Sequence, residues 1–93
     1  MATIFHYGPY SHLPSGPGLL PGNAETWQYG PIDWSGRVIH ATARPRTQGV
    51  DGELSVTAEW MKYQAGQYFV ITVENVGHTS IVSYEVWIGG TQS

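Results

Sequence analysis

The stretch Gln67-Tyr68-Phe69-Val70-Ile71-Thr72-Val73-Glu74-Asn75 constrains this chain more than any other. Phe69, Ile71 and Val73 alternate with Thr72 and Glu74, and a period of two marks a strand with one buried face. Its β-branched and aromatic residues suit a pleated surface rather than a helix.

The same period recurs on either side. From Arg37 to Arg44 it places Ile39, Ala41 and Ala43 on one face and Val38, His40 and Thr42 on the other. From Ile81 to Ile88 it predicts Val82, Tyr84, Val86 and Ile88 inside, with Ser83 and Glu85 outside. The strands at 67–75 and 81–88 are expected to pair antiparallel, because Val76-Gly77-His78 between them carries the turn chemistry of a short hairpin. Weaker strands are read from Thr3 to Tyr7 and from Glu25 to Tyr29.

Residues 53–65 admit two readings. Leu54, Val56, Ala58 and Trp60 share a face if the segment is a strand, whereas Leu54, Ala58, Met61 and Ala65 fall at helical spacing ahead of a capping Gly66. The β-branched pair Val56-Thr57 and the preceding Asp51-Gly52 turn favour the strand.

All the prolines except Pro45 lie between Gly8 and Gly36, most densely from Pro14 to Pro21. Missing donors and glycine torsions at that density exclude a helix or a central strand. Residues 8–24 read as an ordered loop tethered by Leu13, Leu19 and Leu20, with a disordered linker as the alternative. An echo joins Phe5-His6-Tyr7-Gly8-Pro9 to Trp27-Gln28-Tyr29-Gly30-Pro31, each a strand expected to end at its Gly-Pro.

These elements predict one all-β domain over residues 1–93, a small antiparallel β-sandwich of Ig-like or jelly-roll type with about six short strands and a Pro/Gly-rich N-terminal loop. The expected core is Ile39, Ala41, Leu54, Val56, Phe69, Ile71, Val73, Val82, Tyr84, Val86 and Ile88. The step from the strand ending in Val73-Glu74-Asn75-Val76-Gly77 into a strand with an inward Tyr84 is similar to the last hairpins of Ig-like sandwich modules on bacterial surface and multidomain proteins. That resemblance covers about a quarter of the chain and implies an interaction or adhesion module with no shared active site.

Charge narrows the function. Only 12% of the residues are charged, four basic against seven acidic, and a net charge of −3 attracts no polyanion. Nucleic acid is therefore not an expected partner, and the cluster Arg37, Arg44 and Arg46 reads as solvated strand and turn positions. No apolar run is long enough to span a bilayer, and Met1 to His6 lacks a basic leader segment. The chain thus reads as cytoplasmic as written, or as secreted if a leader has been removed. No cysteine is present for a disulfide or a thiolate metal site.

No nucleophile elbow, paired catalytic motif or phosphate-cradling loop occurs, so a non-enzymatic role is expected. His6, His12, His40 and His78 lack the spacing that brings two imidazoles to one ion, so no metal or other cofactor is expected. His40 reads as a satisfied or cross-strand histidine and His78 as a turn residue.

Four tryptophans and six tyrosines exceed what so small a core can use. Tyr10, Trp27, Tyr29 and Trp34 sit in or beside the loop-rich first third, with Asn23 and Asp33 near enough in sequence to orient hydroxyls. A flat ring with a polar edge suits stacking on a sugar or anchoring a protein interface. Those six residues are the candidate ligand-binding set, and the competing structural reading is that Trp27 and Trp34 close an open end of the sandwich. The leading functional expectation is lectin-like carbohydrate binding. A protein-interaction or self-assembling subunit using the same rings as anchors, including a homo-oligomer, is the main alternative, and a membrane-active toxin is the third.

Overall fold

A computed structural model describes residues 2–46 and 52–93. Six strands occur in order: β1 (Thr3–His12), β2 (Ala24–Tyr29), β3 (Arg37–Pro45), β4 (Leu54–Tyr63), β5 (Gln67–Asn75) and β6 (Tyr84–Gln92). They form two antiparallel three-stranded sheets, ordered β1-β6-β3 and β2-β5-β4. The chain is an all-β sandwich, with no helix among the described residues. Asp51, half of the turn expected before β4, lies outside the described residues.

The central strands β5 and β6 supply most of the core. Phe69, Ile71 and Val73 of one sheet face Tyr84, Val86 and Ile88 of the other, and Leu19, Trp34 and Ile81 complete the cluster. Burying such a side chain fully contributes about 1.5–3 kcal/mol. The faces predicted for β3 and β5 are those observed: Ile39, Ala41 and Ala43 pack against the core while Val38 stays 60% exposed.

Pairing is nested, first strand with last and second with fifth, the winding of a jelly roll. This corrects the expected hairpin, because β5 and β6 lie in opposite sheets and the segment between them crosses the sandwich. That crossing displaces the start of β6 from Ile81 to Tyr84. Ile81 instead forms an isolated bridge with Leu19, and Val82, expected in the core, is 51% exposed.

Two bulges alter faces that alternation alone would assign. Between Val56 and Ala58, β4 advances two residues while β5 advances one, from Val73 to Thr72. The extra residue inverts the remainder of the strand, so Trp60 pairs opposite Val70 on the outer face while Glu59 and Met61 take the inner side opposite Ile71 and Phe69. Leu54 and Val56 pack on the core as expected, whereas Ala58 and Trp60 do not share their face. Residues 54–63 are strand, which removes the helical reading.

From Tyr7 to Tyr10, β1 advances three residues while β6 advances two, from Ile88 to Val86. The extra residue keeps Tyr7 and Tyr10 on one face, and β1 continues to His12 instead of ending at Gly8-Pro9. The second Gly-Pro, at 30–31, does end its strand, and both Gly-Pro bonds are cis.

The proline-rich loop is ordered by backbone contacts and by one leucine. Leu19 is buried and exchanges hydrogen bonds with Ile81, whereas the side chains of Leu13 and Leu20, expected as tethers, are exposed. Asn75 locks this junction: buried, it donates from Nδ2 to the carbonyls of Leu19 (2.9 Å) and Thr79 (2.8 Å) and accepts from the Gly77 N–H (3.0 Å). A buried amide with these bonds satisfied fixes where two loops meet.

Candidate functional site

Edge strands β1 and β2 lie along the same side of the sandwich, and side chains rather than a ladder close the gap between them. Because of the Gly8-Pro9 bulge, Phe5, Tyr7, Tyr10 and His12 all oppose inward positions of β6 or its glycine. From β2, Glu25, Trp27 and Tyr29 oppose Val73, Ile71 and Phe69. The two rows mesh into an aromatic seam that is half-buried.

At one end of the seam His12 stacks on Trp27, with ring centres 3.9 Å apart and planes 19° apart. His12 Nε2 lies 2.7 Å from the Tyr29 hydroxyl, and Tyr10 packs on Tyr29 at 4.9 Å. Below them Trp27 Nε1–H donates to the Tyr84 hydroxyl at 2.5 Å, and that hydroxyl donates to Glu25 Oε1. The polar tips thus form two hydrogen-bonded groups, His12 with Tyr29 at the rim and Trp27, Tyr84 and Glu25 deeper, joined by the stacking of His12 on Trp27.

Electrostatics reflect partial burial. Desolvation lowers the His12 pKa below its usual 6.5, opposed by the charge of Glu25, so the imidazole is held neutral. Burial raises Tyr29 and Tyr84, and Tyr84 is raised further by its hydrogen bond to Glu25. The seam offers ring edges, a neutral imidazole, hydroxyls and one carboxylate, which suits recognition of uncharged polar groups.

The other end is built differently. Trp34 is only 3% exposed and packs edge-on to Tyr7 at 6.1 Å and against Phe69 at 6.0 Å. Its backbone N–H donates to Gln67 Oε1 (3.0 Å). Asp33 Oδ1 accepts from the Ser35 N–H (2.9 Å) and from Gln67 Nε2 (3.2 Å), bonds that, with Ser35 foremost, hold its pKa down. Asp33 therefore shapes the turn that seats Trp34.

Of the expected set, Tyr10, Trp27 and Tyr29 come together. Trp34 is a core residue with no face open to a ligand, as the structural reading held for it. Asn23 enters the Asn75 junction through its backbone, accepting from the Asn75 N–H at 3.0 Å. Glu25, near these rings in sequence and able to orient hydroxyls, joins the seam. Sequence reasoning missed His12 and Tyr84 as members of it, His12 because it lay beyond a Gly-Pro taken as a strand end.

The opposite edges, β3 and β4, are bridged by one acid. Glu59 Oε1 accepts from the Ala41 backbone N–H at 2.6 Å, and its Oε2 lies 3.2 Å from His40 Nδ1. His40 thus finds its partner across the two sheets rather than on a paired strand. On the outer face of the first sheet His6 stacks on Trp87 at 5.4 Å. Among the described residues no three His, Cys, Asp or Glu side chains lie close enough to hold a metal ion. No known protein family matches the chain, and no characterised protein or solved structure matches it either.

Proposed function

We propose that the chain is a non-catalytic binding module whose seam recognises a carbohydrate through Tyr10, His12, Trp27 and Tyr29. The observation that carries this reading is the joining of ring surface and hydrogen-bonded polar tips in one half-buried strip, His12 on Trp27 and Tyr10 on Tyr29. Apolar ring surface meets sugar C–H groups while a few placed polar atoms orient hydroxyls.

Titrating a panel of neutral glycans against tryptophan fluorescence tests it. A saturable change that is lost in Tyr10→Ala, a half-exposed position, supports the seam as the site. Absence of any response across the panel, with the protein folded, removes the carbohydrate reading.

A second reading, self-assembly, is favoured by a different surface. Ile4 (88% exposed) and Val38 (60%) flank Thr91 on the outer face of the β1-β6-β3 sheet, where soluble monomers ordinarily place polar groups. Light scattering after size exclusion checks it. A multimer that Ile4→Lys converts to monomer supports assembly through this face, and a monomer at all concentrations excludes it.

A further inference from the structure

Arg37 opens β3, and its guanidinium carbon lies 5.0, 5.6 and 5.3 Å from the ring centres of Phe5, Tyr7 and Trp34. Its Nε and Nη1, and the Nε1 of Trp34, are shielded from solvent and have no hydrogen-bond acceptor among the described residues. Buried donors ordinarily have one. Here all the orphans are donors, and they share one end of the sandwich. Neither ion pair among the described residues involves Arg37. Asp33 and Arg37 feel each other's charge, but Asp33 Oδ1 is engaged by Ser35 and Gln67.

Arg37 also lines a groove of about 290 Å³ between β3 and β4. Ile39, Trp60, Met61 and Phe69 give that groove apolar walls, and His40 and Glu59 border it. Glu59 spends its oxygens on the Ala41 N–H and His40.

We propose that this groove is a second binding site, at the opposite end from the His12–Trp27 stack, for a small organic carboxylate. Its carboxylate meets Arg37 first at Nη2, the guanidinium nitrogen not among the shielded ones, while its apolar body lies against Met61 and Phe69. A guanidinium matches a carboxylate geometrically and forms charge-assisted hydrogen bonds with it. Three rings have already stripped water from one side of this cation without supplying an acceptor, so its charge is less screened than that of a surface arginine. The groove's volume, at the low end for small-molecule sites, selects a compact ligand.

The test uses ¹H–¹⁵N NMR of the full chain, tracking the side-chain resonances of Arg37 Nε–H and Trp34 Nε1–H. Benzoate is expected to shift them saturably, whereas benzyl alcohol, matched in its ring but uncharged, leaves them in place. Arg37→Lys keeps the charge and loses the fork, and is expected to weaken the benzoate response of Trp34 about tenfold. Equal shifts with benzoate and benzyl alcohol, or no saturable shift with benzoate, overturn the proposal. Because both ligands are compared on the unaltered protein, the result stands even where Arg37→Lys does not fold. A glycan response without a benzoate response sinks this site and leaves the seam reading intact.

Discussion

The imidazole of His12 lies flat on the indole of Trp27, 3.9 Å between ring centres, although the two residues belong to different sheets. Burial holds that imidazole below its usual 6.5. As pH falls, the unfolded chain therefore takes up this proton before the folded one does. The contribution is complete above pH 6.5 and is lost as pH drops through 6.5 toward the folded value. Urea midpoints compared at about pH 8 and pH 5.5 should fall on acidification, and His12→Gln should flatten that fall.

Alkali should act on the same seam with the opposite sign. Tyr29 and Tyr84 are held above their usual 10.0, first by burial, so the unfolded chain loses these protons sooner. Their contribution is present below pH 10.0 and declines as pH rises beyond it. Tyr29→Phe should shrink the loss of thermal midpoint seen between about pH 9 and pH 11.

Asn75 is buried with its amide fully engaged, and Asn75→Leu would leave the Thr79 carbonyl and the Gly77 N–H without their partner. About 3 kcal/mol of stability should be lost, read from chemical denaturation. Limited proteolysis should then cut within residues 13–22, since Leu19 is tied to this junction.

Two glycines should respond differently to the same substitution. A Cβ at Gly90 would overlap the Val38 carbonyl oxygen, so Gly90→Ala should prevent the β3-β6 pairing and yield little folded protein. Gly22 has a φ of +83° and nothing within 4 Å of its Cβ position. Gly22→Ala should cost only the left-handed penalty, about 1–2 kcal/mol, measured by thermal unfolding.

Glu59 holds the β3 and β4 edges together through the Ala41 N–H. Glu59→Ala should cost about 1–2 kcal/mol and free an edge for pairing with other chains, seen as concentration-dependent scattering. Glu59→Gln keeps an acceptor and should retain most of the stability.

The candidate site is legible in part from the sequence. Tyr10, Trp27 and Tyr29 stand out by the surplus of rings and their place beside prolines. Trp34 belongs to the same cluster in sequence yet lies in the core, because Asp33, Ser35 and Gln67 turn it inward. Nothing along the chain distinguishes a tryptophan that a turn directs inside from one it leaves at the rim. His12 is hidden because a Gly-Pro step that bulges a strand looks the same in sequence as one that ends it.

Alternation at residues 37–45 and 67–75 is a local property, set by successive side chains pointing to opposite faces. Strand identity and the inward faces of β3 and β5 could therefore be read without knowing any partner. Which sheet each strand joins is a sum over contacts between distant residues, such as Trp27 with Tyr84, fifty-seven positions apart. Tertiary packing alone decided that β5 and β6 lie in opposite sheets, that single inserted residues in β1 and β4 invert a face, and that the surplus rings of the opening segment meet in one seam.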